Sequence, residues 1–359
     1  MRTGIVKTSV VMGLLLVVGL FASCDKKKPV KKTEVIAKKI ATEIVENITF
    51  RQPLVFITGI DTDTKKLYKS ARDYFINKQF EVVDNAFSLQ EVITWLNKNY
   101  DGNTYGEIHI VSDHNPWTGL EMETLINGER VSTESLRKAI TQGTLPILKE
   151  GIHSQTKIIF HSRGLGDNTD LMKTLRDAFV ADEVPSVVAS PYYDVFGGEF
   201  SEHYLAKPYY VFYPYAHSPG KLDLSKEIAR KYSEEKEIDW YDALNNKKER
   251  YVGDAYTYRF SIPVKWEFDY TNSDDEMPTF KSPEAIMDWI EQNEVISSII
   301  DKYDIPLEKF RWRSNVKGNK LTIKGKVTVL CVLKPLIKPY GDLQHIEPDT
   351  ENLRLYAMN

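Results

Sequence analysis

Between residues 53 and 190, short apolar runs alternate with longer segments in which apolar residues return every three or four positions. Residues 53–60 (PLVFITGI), 80–83, 106–112 (GEIHIVS), 157–160 (KIIF) and 186–190 (SVVAS) suit strands buried on both faces, because they are short and almost continuously apolar. Between them lie helical stripes: Leu67, Ala71 and Phe75; then Leu89, Val92, Ile93 and Leu96 behind a Ser88/Glu91 capping box. Leu136, Ala139 and Ile140 follow Ser132 and Thr133, either of which can open the helix, and Leu171, Met172, Leu175, Ala178 and Phe179 complete the series. Asn127-Gly128 is a hairpin signal between residues 120–126 and 129–131. Strands alternating with helices predict an α/β fold built on a mostly parallel sheet flanked by helices. Such sheets bind ligands beyond the carboxyl ends of their strands, which directs attention to the loops after Ser112 and Phe160.

Beyond Lys207 the pattern changes. Residues 209–215 (YYVFYPY) suit a strand or a lid, and residues 224–246 are charged and helical. Residues 255–270 and 310–337 read as strands, the latter with a turn at Lys317-Gly318-Asn319, and Pro283 opens a helix carrying Ile286, Trp289, Ile290 and Ile296. These elements predict a second, smaller α+β domain over residues 247–359, after an α/β domain over residues 51–246.

The N-terminal segment has the layout of an export signal. Arg2 and Lys7 precede an apolar stretch, residues 10–22, that is shorter than the roughly 20 residues needed to cross a bilayer. It ends in Leu20-Phe21-Ala22-Ser23-Cys24, which resembles the lipobox of bacterial lipoproteins, with Phe21 in place of the commoner aliphatic residue. The resemblance implies a signal peptide over residues 1–23, lipidation of Cys24, and a location in the bacterial cell envelope, anchored by lipid and facing the periplasm or the cell surface. Residues 24–50 then form a tether rich in lysine, whose charges keep it solvated. The membrane is thus one expected partner. Formal charge is −4, and losing Arg2 and Lys7 with the signal leaves −6, a balance that gives no support to nucleic-acid binding. Acylated Cys24 leaves Cys331 without a partner thiol, so stability must come from a packed core; 42% hydrophobic residues supply one.

Two strand ends carry a second resemblance. Ile108-His109-Ile110-Val111-Ser112-Asp113-His114-Asn115-Pro116-Trp117 is similar to the strand and loop that bear the catalytic histidine in caspase-like folds, including CHAT domains and the gingipain and separase relatives. Ile158-Ile159-Phe160-His161-Ser162-Arg163-Gly164 resembles their nucleophile strand, and residues 186–190 the strand after it. The resemblance implies a caspase-like sheet and, in a complete site, a cysteine peptidase. The departures limit that implication. Aligned without gaps, Asp113 takes the histidine position, and a one-residue shift restores His114. Ser162 stands where the cysteine belongs. Cys331, within Val-Thr-Val-Leu-Cys-Val-Leu, reads as a core residue.

A serine nucleophile needs a hydrogen-bonded base and an oxyanion site. His114, with Asp113 beside it, is the candidate base for Ser162, and Gly164 and Gly166 the candidate N–H donors; His161 should point to the opposite face. His109, Asp113, His114 and His161 lack the spacing of a metal motif, and neither metal nor cofactor is expected. Ten aromatic residues crowd positions 192–215. They make either a packed edge strand or a wall of the same cleft, with Trp117, Arg163, Gly164, Tyr192, Tyr193 and Tyr209 as binding residues. The favoured expectation is a non-catalytic, protease-like module that binds an envelope protein or peptide. The alternatives are a peptidase-like hydrolase using Ser162 with His114, and a polymer or small-ligand binder using the tyrosine-rich segment.

Overall fold

The computed structural model describes residues 49–59, 65–214, 219–271, 276–338, 341 and 343–359. Five of the apolar runs become strands: β1 (Leu54–Ile57), β2 (Glu81–Val83), β3 (Glu107–Val111), β6 (Lys157–His161) and β7 (Ser186–Ala189). All five run parallel in the order β7-β6-β3-β1-β2, and the short β13 (Ala357–Met358) adds antiparallel to β7. The pleat sorts their side chains. Leu54, Phe56, Ile108, Ile110, Ile158 and Phe160 pack with α2 (Leu89–Lys98), α3 (Thr133–Thr141) and α4 (Thr169–Ala178) on one face. Val55, Ile57 and Val111 pack on the other against Tyr68, Ala71 and Phe75 of α1 (Lys66–Asn77).

The helices begin where side chains can satisfy their free N–H groups. Ser88 and Glu91 make the expected reciprocal box, Ser132 caps α3 with Ser135, and the Asn168 carboxamide accepts from Leu171 N–H at 3.1 Å to start α4. At Asn127-Gly128 the chain turns, with Asn127 at φ +58°, but antiparallel pairing there is a single bridge, Glu123 to Arg130. The paired hairpin is instead β4 (His114–Asn115) with β5 (Gly119–Leu120).

A separate antiparallel sheet follows, in the order β10-β12-β9-β8, with β11 also on β12. Its members are β8 (Tyr193–Phe196), β9 (His203–Tyr213), β10 (Tyr256–Asp269), β11 (Arg311–Lys317) and β12 (Lys320–Pro335). β12 is long enough to pair β11 over its first half and β9 over its second, while β10 runs beside its whole length. Residues 209–213 are therefore strand, not lid, and the Lys317-Gly318-Asn319 turn lies where the sequence puts it. The sheet takes β8 and β9 from before residue 246 and the rest from after it, so it straddles the boundary expected there. Helices α5 (Lys221–Lys231) and α6 (Trp240–Asn245) pack on one face, and α7 (Pro283–Gln292) and α8 (Glu294–Asp301) on the other. Cys24 and Tyr215 lie outside the described residues.

Candidate functional site

Strands β3 and β6 lie side by side, parallel and in register from Glu107/Lys157 to Val111/His161. The loops carrying Asp113, His114, Ser162 and Arg163 therefore leave the same sheet edge together. What they do there differs from a catalytic pairing. Ser162 is 1% exposed, and its hydroxyl donates to the Ser112 carbonyl at 2.8 Å. His114 directs Nδ1 at the Arg163 carbonyl, 2.7 Å away; a carbonyl only accepts, so Nδ1 carries the hydrogen. Its Nε2 is buried with no hydrogen-bond partner. Burial lowers the His114 pKa, against the opposing pull of the Arg163 carbonyl and Asp113, and keeps the ring neutral.

The expected N–H donors are spent on backbone. Gly164 N–H donates to the Tyr192 carbonyl at 3.1 Å and Gly166 N–H to the Ser190 carbonyl at 2.9 Å. Gly164 sits at φ +66°, where glycine carries no steric cost. These two bonds tie the turn after β6 to the segment after β7, and they leave no oxyanion pocket at Gly164 or Gly166.

Asp113 is instead the anchor of an ionic group. Its Oδ1 lies 3.3 Å from Arg163 Nε and its Oδ2 3.4 Å from Lys65 Nζ, which also reaches Glu121. Tyr68 hydroxyl accepts from Asp113 N–H at 3.0 Å and donates to Glu121 at 3.2 Å. The Arg163 guanidinium lies 4.9 Å from the Tyr258 ring centre and 5.9 Å from that of Tyr193, a cation–π position on both. Tyr258 donates to Tyr193 at 2.9 Å, and Tyr193 shares a 2.8 Å hydrogen bond with Tyr210.

Two cavities meet at His114. One of about 670 Å3 is lined by Gly164, Asn168, Tyr192, Tyr210 and Tyr232. The other, about 720 Å3, is lined by Lys65, Lys66, Asp113, Glu121, Arg130, Arg163, Tyr193, Tyr258 and Arg259. Its described lining carries five cations, Lys65, Lys66, Arg130, Arg163 and Arg259, against two carboxylates, Asp113 and Glu121. The tyrosine-rich segment contributes less surface than its composition suggests. Tyr209 and Tyr213 are buried core residues, Tyr209 packing on Tyr232 and Trp240; Tyr193 and Tyr204 are also buried but each touches a cavity wall, and Tyr192 and Tyr210 reach the cavity beside Gly164. Trp117 is a strut: its indole N–H donates to the Tyr303 carbonyl at 2.8 Å, and its rings meet Tyr210 and Phe212 edge-on.

A second polar cluster lies on the other face of the parallel sheet. His109 Nδ1 is 2.9 Å from His161 Nε2, and His161 Nδ1 is 3.2 Å from Asp194 Oδ1, which His203 Nε2 also meets at 3.2 Å. Glu107 ends the chain, its Oε2 3.5 Å from His109 Nε2. His109 and His161 meet here, beside Asp194 and His203 and not beside Asp113 and His114. Sequence reasoning missed those two. The available signal was Asp194 itself, which alternates in phase with Phe196 in a strand of otherwise core residues. No protein-family model matches the chain, and no curated protein matches it.

Proposed function

We propose that this chain is a lipid-anchored bacterial envelope protein, attached through Cys24, whose caspase-like domain binds an acidic protein segment at the sheet-end cleft without turning it over. The observation that carries the non-catalytic reading is the Ser162 hydroxyl, buried and committed to the Ser112 carbonyl. A hydroxyl so placed gives its hydrogen to a carbonyl, which cannot take the proton as a base would. Support for the domain assignment comes from the parallel adjacency of β3 and β6. The ligand class follows from charge: Lys66, Arg130 and Arg259 face a cavity whose other cations are already paired.

Fluorescence anisotropy with acidic peptides and their neutral amide counterparts tests the reading. Acidic peptides should bind, more weakly at high salt, and Arg259→Gln with Arg130→Gln should weaken them further. Equal affinity for both peptide sets would sink the ligand assignment. Radiolabelled palmitate should enter the wild-type chain and not Cys24→Ala.

The hydrolase reading has one observation in its favour. The Nδ1 hydrogen bond fixes the His114 tautomer that leaves Nε2 free as a base. A fluorophosphonate probe decides between the two: labelling that Ser162→Ala abolishes would replace binding with turnover.

A further inference from the structure

We propose that His161, Asp194 and His203 form a binding site for a single divalent transition cation of the zinc class, with His109 and Glu107 as its outer supports. One donor atom from each of the three residues lies within 4.8 Å of the other two, and all three side chains are buried. Both imidazole nitrogens stand 3.2 Å from Asp194 Oδ1. That separation is long for a charge-assisted hydrogen bond, and it matches the edge of a tetrahedron with metal–ligand bonds of about 2.0–2.1 Å. Two imidazoles and one carboxylate, with a fourth position open, are a donor set that zinc accepts.

Hydrogen-bond accounting points to the same place. Without a cation, the carboxylate must receive N–H from His161 Nδ1 and from His203 Nε2. His161 Nε2 then accepts from His109 Nδ1–H, and His109 Nε2 is left as a lone pair facing the Glu107 carboxylate. Two acceptors are orphaned by this arrangement, His109 Nε2 and Asp194 Oδ2, each buried without a partner. Buried polar atoms without partners cost free energy and call for a reason. A cation on His161 Nδ1 reverses the sequence of donors. His161 Nε2–H then donates to His109, His109 Nε2–H turns to Glu107, and Asp194 ligates through Oδ1, the oxygen both imidazoles already face. The resulting carboxylate–histidine–histidine line is the outer support that ligating imidazoles generally have. Asp194 also lines a cavity of about 270 Å3 that reaches Lys66, Gly197 and Glu249.

Full-length protein stripped with EDTA is titrated with Zn2+ and, separately, with Co2+. One equivalent of zinc should survive desalting, thermal unfolding should move upward, and Co2+ should give the intense visible bands of tetrahedral coordination. His109→Phe should keep those bands while weakening affinity about 10- to 100-fold. His203→Gln should lose them, its fold being checked by circular dichroism. Less than one equivalent in the wild type, or an octahedral Co2+ spectrum, overturns the site without any variant. So does stoichiometric binding undiminished in a folded His203→Gln.

Discussion

The hydroxyl of Ser162 donates across the sheet edge to the carbonyl of Ser112, 2.8 Å away on the neighbouring parallel strand. The bond therefore stitches β6 to β3 one residue beyond their last ladder pair, Val111 with His161. Replacing Ser162 with alanine removes one buried hydrogen bond and little volume. The expected cost is about 1 kcal/mol in urea denaturation, with peptide affinity unchanged. A loss of binding without a loss of stability would place the hydroxyl against the ligand instead.

Gly166 predicts a larger effect from a smaller change. A Cβ there would lie 2.5 Å from the Ala189 carbonyl oxygen and 2.6 Å from the Pro191 nitrogen, both backbone atoms that cannot swing aside. Gly166→Ala should lower stability by about 3 kcal/mol or more, read as a fall in thermal midpoint. Gly220→Ala, where a Cβ meets nothing within 4 Å among the described residues, should cost under about 1 kcal/mol.

The parallel sheet was legible in the sequence because it is built from local signals: apolar runs of strand length, capping residues and helical stripes. The site was legible only as far as such signals reach. The runs expected to end at Ser112 and Phe160 are adjacent parallel strands, which end at Val111 and His161. The fate of Gly164 and Gly166 was hidden, since their N–H groups are claimed by Tyr192 and Ser190 about 25 residues away, and no local pattern encodes that pairing. Asp194 and His203 were hidden for the same reason. They meet because β8 and β9 fold back as a hairpin over the first sheet, and His161 gains its partners only through that return.

Arg163 pairs with Asp113 and lies over the Tyr258 ring, in a setting where the carboxylate side chain is 9% exposed. Among the described residues, removing the guanidinium leaves that carboxylate with Lys65 as its one cation. Losing one partner of a fully buried pair costs about 3–5 kcal/mol, but Arg163 is about a quarter exposed and Lys65 persists. Arg163→Met should therefore cost about 1–3 kcal/mol, and Asp113→Asn in the same background should restore part of it. A double-mutant cycle showing no coupling would remove the ion pair from the account.

Cys331 makes the stability depend on alkaline pH. Burial pushes its thiol from 9.0 up to about 12, against the opposing pull of Tyr258, Tyr193 and Arg163. Between those values the unfolded chain has lost this proton and the folded chain retains it. The contribution to stability is therefore complete below pH 9 and is lost as pH rises toward 12. Urea midpoints between pH 8 and pH 11 should fall, and should fall less steeply in Cys331→Ser. Iodoacetamide at pH 8 should modify Cys331 only after denaturant is added.

Trp117 offers a test of whether the two sheets behave as one cooperative body. It leaves the β4–β5 hairpin at the end of the parallel sheet, packs its rings against Tyr210 and Phe212 of β9, and donates to the Tyr303 carbonyl beyond α8. No other described indole donates a hydrogen bond from the parallel-sheet region to the antiparallel-sheet region. Trp117→Phe keeps an aromatic ring and forfeits the indole donor, at an expected cost of about 1 kcal/mol. Trp117→Ala also forfeits the ring contacts, and for a half-buried indole the total should reach about 2–3 kcal/mol. The decisive readout is coincidence: in the wild type, far-ultraviolet circular dichroism and near-ultraviolet aromatic signals should give one urea transition. In Trp117→Ala the two should separate, because the antiparallel sheet keeps its own core of Ile262, Ile290, Leu321 and Val329 when the strut is gone. Coincident transitions in the alanine variant would mean that the sheets are coupled mainly through β8 and β9.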